Sequence, residues 1–301
     1  MGDVLTGFHT VWEFNADSVL IRFERGIRTP KLLQALGERR IPYEALAGVE
    51  LTPGKRGTVV LRAVPRPGAD PLMDAADGQL KEGCDPYRLV LPAERETLAE
   101  YYAEEIRAAL GPEAKTPADA YVVAAPTAPM AFKAYDGKAS FDGSSVAFRW
   151  FWTGASSAKW KAGDQRFQVG ELTGVEWRSP EVFNGHLRLV ARGAEGAEPG
   201  AADQNPAAVV FGMGYGLVHD SLPFAAAVLE AVRTSSPASG LAGLRQHGAS
   251  GTGPVDNQQI SARPDPGHIA DRIRHLGELH QAGLLTDDEF TAKKTELLAE
   301  L

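Results

Sequence analysis

The stretch LAGVEL at residues 46–51 returns as LTGVEW at residues 172–177. Sliding the chain against itself by about 127 positions extends the match. FNADSVLIRF (14–23) falls on FDGSSVAFRW (141–150), GTVVLRA (57–63) on GHLRLVA (185–191), and DPYRLVL (85–91) on NPAAVVF (205–211). Each series ends in a helix-like stretch, ERETLAEYYAEEIRAAL (94–110) and SLPFAAAVLEAVR (221–233). Segments kept in one order at nearly one offset, with a shorter loop before NPAAVVF, mark an internal repeat, and a repeat restricts the fold more than any composition does. The chain reads as two copies of one domain of roughly 100 residues, a common domain size.

Within a copy the period is two. Val19, Ile21 and Phe23 alternate with Leu20 and Arg22, and Val59 and Leu61 alternate with Val60 and Arg62. That alternation predicts half-buried strands, and TPG, FDG and NG between the runs suit hairpin turns. The closing segments change period. Leu98, Tyr102, Ile106 and Ala109 fall on one helix face, as do Phe224, Val228 and Val232. Arg22 and Glu50 recur as Arg149 and Glu176, which predicts an ion pair in each copy. The expected class is α+β, mainly β: a curled antiparallel sheet with a C-terminal helix over its open side, twice. This arrangement resembles the pleckstrin-homology-like (PH-like) superfold, which serves lipid, peptide and protein binding alike.

The expected organisation is a PH-like copy at 1–110, a linker at 111–129, a second PH-like copy at 130–233, a disordered linker at 234–267 and a helical hairpin at 268–301. Gly, Ser, Pro and Ala dominate residues 234–267, the composition of a flexible connection. In the final segment Gly283 ends one helix, and Thr286, Asp287, Asp288 and Glu289 form a capping box that starts the next. Its apolar side is built by Ile273, Leu276, Leu279, Leu284, Leu285, Phe290, Leu297 and Leu298. The run LGELHQAGLLTDDEFTAKKTELL (276–298) resembles the SHOCT (short C-terminal domain) family. The whole chain resembles a bacterial family of unknown function with two PH-like domains and a SHOCT tail. That resemblance implies a cytoplasmic protein with no assigned activity, whose tail promotes oligomerisation or docks a partner. Chains below about 40 residues seldom bury enough apolar surface to fold alone, so a partner helix is the expected supplement.

Charge and composition exclude several classes. The formal net charge of −8 argues against broad nucleic-acid binding, which needs a basic footprint. Cys84 is the only cysteine, so an intrachain disulfide and a cysteine-built metal site are both excluded, and a reducing compartment is expected. No apolar run approaches 18 residues, so no transmembrane segment is expected. FGMGYG (211–216) lacks the G-x-G-x-x-G spacing and reads as a strand-to-helix loop. His219, Asp220 and Ser221 are adjacent, whereas a triad is assembled across a fold; Asp220 or Ser221 is expected to cap the helix that carries Pro223. His275 and His280 have the wrong spacing for a helical zinc pair.

No catalytic residue, cofactor or metal ligand is therefore expected. The reading is a non-enzymatic scaffold or binding protein, with a protein partner or self-association through the tail. An enzyme of unrecognised type is the remote alternative. The nearer alternative is peripheral contact with an anionic membrane. Residues 22–66 carry ten basic side chains against four acidic ones, among them Arg39, Arg40, Lys55 and Arg56 as a possible anionic-ligand surface. In FRWFW (148–152) both strand faces are apolar, so Trp150, Phe151 and Trp152 are expected to include interface residues.

Overall fold

The computed structural model describes residues 3–193 and 200–235. Copy one runs β1 (Asp3–Thr6), β2 (Thr10–Phe14), β3 (Ser18–Phe23), α1 (Lys31–Leu36), β4 (Glu38–Pro42), β5 (Leu46–Pro53), β6 (Thr58–Pro65), α2 (Pro71–Ala76), β7 (Arg88–Pro92) and α3 (Glu96–Ala109). Copy two runs β8 (Met130–Lys133), β9 (Gly137–Phe141), β10 (Ser145–Trp150), α4 (Ser157–Ala162), β11 (Gln165–Gln168), β12 (Leu172–Arg178), β13 (His186–Ala191), β14 (Ala208–Val210) and α5 (Val218–Ser235). Each copy holds a four-stranded and a three-stranded antiparallel sheet in simple meander order, closed by its last helix. The protein is mainly β and is built twice on one plan.

The repeated hexapeptide begins β5 and β12. In each strand the register slips by one residue between the leucine and the glycine, leaving Ala47 and Thr173 as the extra residue. Such a bulge bends a strand and tightens its twist. A short 3-10 turn precedes each bulge, at Tyr43–Ala45 and Val169–Glu171, and Leu46 and Leu172 are buried beside it. The echo thus encodes the corner at which the chain passes from its first sheet to its second.

Period-two alternation places the core. Thr10, Trp12 and Phe14 of β2 face inward while Val11 and Glu13 face out, and Ala139 and Phe141 of β9 repeat the pattern. Three expectations are corrected. Arg22 does not pair with Glu50, because β3 and β5 lie in different sheets. Arg22 meets Glu13 and Glu38 on the strands beside it, and Glu50 meets Arg62; in copy two, Glu176 meets Arg188 and Arg149 faces Asp164. The buried face of α3 is Ala99, Tyr102, Ala103 and Ile106, with Leu98 and Ala109 outside. The arc follows i, i+3, i+4 and i+7 through two alanines, which admit the helix close to the sheet. Finally, α5 begins at Val218, so Asp220 and Ser221 lie inside it; the Ser221 hydroxyl instead accepts from the Trp177 indole N–H at 3.0 Å.

The copies are joined through an insert of copy one. Residues 67–84 carry α2, which packs with α1 against α5 of copy two. Leu32, Leu72, Ala75 and Ala76 share one buried cluster with Phe224 and Val228, so copy one completes the core of copy two. The expected linker at 111–129 is also packed: Ala118 and Val123 are buried in the core of copy one. Arg233, near the end of α5, donates to the carbonyls of Gly68 and Ala118 and lies over the Tyr121 ring at 4.4 Å. Gln79 spans the junction, donating to the Trp177 carbonyl and accepting from the Ser179 amide.

Two outcomes follow from this junction. Leu72→Ala removes apolar volume from a core it shares with copy two and should cost about 2–5 kcal/mol. Urea unfolding followed by tryptophan emission checks this, since four of the five tryptophans lie in copy two. Burial, with the Asp74 charge beside it, pushes the Tyr121 phenol up to about 12 despite Arg233. A folded-state value raised above the unfolded one leaves stability intact below the unfolded pKa near 10 and removes it as the pH rises through the folded one. Tyr121→Phe should therefore show a flatter melting temperature than wild type between pH 10 and 12.

Candidate functional site

Arg39 is corrected first: it belongs to the interior and not to an anionic-ligand surface. Its guanidinium donates twice to Asp70, at 2.9 Å each, and the two side chains are 5% and 0% exposed. The Tyr87 hydroxyl donates to the same carboxylate at 2.6 Å, and the Leu72 amide donates to it as the N-cap contact of α2. Burial opposes the charge on Arg39, but Asp70 and Tyr87 together outweigh it and the guanidinium value is raised. Burial and the Asp70 charge push the Tyr87 phenol well up. Four hydrogen bonds on one buried carboxylate pin the start of α2 to β4 and to the chain leading into β7.

Copy two holds a different buried pair. Lys159 of α4 donates to Asp136 in the β8–β9 turn, and Asp136 also accepts from the Val210 amide at 2.9 Å. Burial drives both groups toward neutrality, lowering Lys159 and raising Asp136, while their mutual attraction opposes it. Trp150 lies 5.0 Å beneath Lys159 and donates its indole N–H to the Gly163 carbonyl. Trp150 is thus a core residue of its own copy, which corrects its reading as an interface aromatic. The strand ends there, so Phe151 and Trp152 lie half-buried in the following turn.

The remaining basic residues of copy one are dispersed. Arg62 is held by Asp85 and Glu50, and Arg66 donates to the carbonyls of Glu44 and Thr116. Arg40 is exposed on β4, and Lys55 and Arg56 are exposed at the β5–β6 turn, in a different sheet. Several pairs recur between copies: Arg40 with the Ser18 hydroxyl (2.9 Å) and Arg166 with the Ser145 hydroxyl (3.0 Å), and across the second sheets Glu50 with Arg62 and Glu176 with Arg188. Cys84 is half-buried, and burial with the Glu181 charge pushes its thiol up, away from the reactive thiolate. Among the described residues no group of three or more His, Cys, Asp or Glu could hold a metal, and no helix is long and apolar enough to cross a membrane. The tail residues Ile273 to Leu298 lie outside the described residues.

A surface that period and spacing did not single out is the outer face of the first sheet of copy two. Lys133, Lys138 and Arg149 stand directly opposite one another across β8, β9 and β10, and all three are exposed. Among the described residues neither lysine forms an ion pair, and Arg149 meets only Asp164, at 3.9 Å. In the next row, Ala131, Ser140 and Ala147 floor an open depression of about 430 Å³ with Arg166 at its side. The equivalent row in copy one is Thr6, Val11 and Arg22, and there Glu13 and Glu38 neutralise the arginine. Aligning the copies position by position exposes this difference in the sequence itself.

The glycine-rich run FGMGYG closes the same end of the sheet. Gly212 and Tyr215 bridge each other, and the Gly216 amide donates to the Lys133 carbonyl at 2.8 Å. Gly216, at a φ of 65° on the left-handed side, leaves no room for a side chain, because a Cβ there would lie 2.1 Å from the Phe211 ring. The tight turn presents Met213 (100% exposed) and Tyr215 (43%) beside Tyr135 (51%), whose ring lies 6.4 Å from that of Tyr215.

Duplication, the paired sheets and the closing helices define a tandem-repeat protein of mainly β structure. A model described as a domain of unknown function (DUF4429) matches residues 12–107 and 139–229, one segment per copy and together more than half of the chain. The chain belongs to that family. The short C-terminal domain (SHOCT) model matches residues 271–298. No curated protein matches the chain.

Removing Asp70 leaves Arg39 charged, buried and unpaired, so Asp70→Ala should lose about 3–5 kcal/mol. Arg39→Met combined with Asp70→Leu should lose less than Asp70→Ala alone. A double-mutant cycle by urea denaturation measures the coupling.

Proposed function

We propose that this protein is a non-enzymatic scaffold: a two-copy PH-like binding platform carrying a SHOCT tail that mediates self-association or docks a partner. The observation that carries this reading is the use made of the buried ionic groups. Arg39, Asp70 and Tyr87 anchor the junction helix, and Lys159 and Asp136 anchor a turn, so each serves the fold. What the platform offers outward is flat sheet and helix faces, which suit a macromolecular partner. The tail is the assembly element in this reading, since its short amphipathic segments need a second helix to bury their leucines. The compartment that fits a chain with one cysteine is the cytoplasm.

Light scattering at about 1 M salt, where a Debye length of about 3 Å screens surface charge pairs, tests the reading on the full chain and on Leu276→Asp/Leu297→Asp. The full chain should have a solution mass above that of one chain, and the variant should fall toward the single-chain mass. Equal masses would remove the tail as the assembly element.

A further inference from the structure

Two like-charge arrays of opposite sign stand on separate faces of this chain. One is the basic row Lys133, Lys138 and Arg149. Like charges directly opposite on neighbouring strands destabilise a sheet, so the fold gains nothing from this row. The other lies on α3, where Glu96, Glu100 and Glu104 follow one another at i, i+4 and i+8, all exposed. Like charges at i, i+4 destabilise a helix, and among the described residues only Glu104 is relieved, by Arg107. Neither array is explained by the stability of the copy that bears it.

Each array also has exposed apolar side chains beside it. Tyr135 lies in the turn between Lys133 and Lys138, with Tyr215 and Met213 next to it. On α3, Tyr101 (53% exposed) stands one turn before Glu104 on the same side of the helix. A charged row flanked by exposed aromatics is the composition of an interface with a polar rim and a few anchoring side chains.

From this we infer that the basic sheet face of copy two binds the acidic α3 face of copy one in a second molecule of the same chain. The occupant follows from charge complementarity: each array supplies the counter-charges the other lacks, and both are exposed within one chain. Because the two patches differ, the contact is heterologous, and repeating it joins chains head to tail. The contact goes beyond the scaffold reading, since it requires nothing of the tail. A salt-sensitive association is expected, because complementary exposed charges attract within a Debye length of about 8 Å at physiological ionic strength.

Charge-swap variants of the full chain test it, with self-association followed by sedimentation velocity against concentration and salt. Lys133→Glu/Lys138→Glu should weaken head-to-tail association at least about tenfold, and Glu100→Lys/Glu104→Lys should do the same. Combining all four substitutions in one chain should restore it, as should mixing the two double variants. All the changed residues are exposed, and unchanged circular dichroism and melting temperature confirm folding. Association that ignores both charge swaps, or fails to return in the fourfold variant, overturns the inference. So does binding of the wild type to anionic phosphatidylserine vesicles, lost in Lys133→Glu/Lys138→Glu, without any charge-dependent self-association. The tail reading fails separately, through Leu276→Asp/Leu297→Asp, which leaves these charges untouched.

Discussion

Asp70 is the residue on which the arrangement of the copies turns. A buried carboxylate is tolerable only when its lone pairs are filled, and here Arg39, Tyr87 and the Leu72 amide fill them. The geometry that satisfies the charge also fixes the first turn of α2. With α2 held, Leu72, Ala75 and Ala76 face α5 and close the core of copy two. A single polar cluster inside copy one therefore determines where copy two sits.

Duplication explains what is common, and divergence explains the rest. Both copies keep the leucine–glycine bulge, the 3-10 turn before it and the arginine–serine pair on the first sheet. They differ in how they bury charge: copy one uses Arg39 and Asp70, copy two uses Lys159 and Asp136. They differ again outside, where Thr6 and Val11 are answered by Lys133 and Lys138. Two domains with one core plan and different outer faces present two different surfaces, which is what the proposed scaffold role draws on.

The repeat, the strand pattern and the closing helices were legible because burial on one face imposes a period that local sequence carries. The ion pairs were not. Arg22 with Glu50 rested on recurrence alone, and recurrence does not say which strands are neighbours; the meander put Glu13 and Glu38 beside Arg22 instead. Arg39 looked like a surface charge because its partner lies 31 positions away, in the insert that carries α2. Within that insert, Asp70 before Pro71 is the helix-start signal of α2. Trp150 was misplaced because FRWFW looks like one strand, whereas the strand ends at Trp150 and the next two aromatics turn away. Lys133 and Lys138 were visible as letters, but their alignment across strands needs the register.

The junction held by a buried salt bridge, the oppositely charged outer faces and the C-terminal SHOCT segment are the features the proposed assembly of chains draws on. The account depends most on α2 being an integral part of the junction. Amide hydrogen exchange on the full chain measures this directly, because a helix buried at a junction opens only with the unit it belongs to. The predicted result is that α2 and α5 exchange together, at the protection of the core strands β6 and β13. Rapid exchange of α2 while α5 and those strands stay protected would contradict the account.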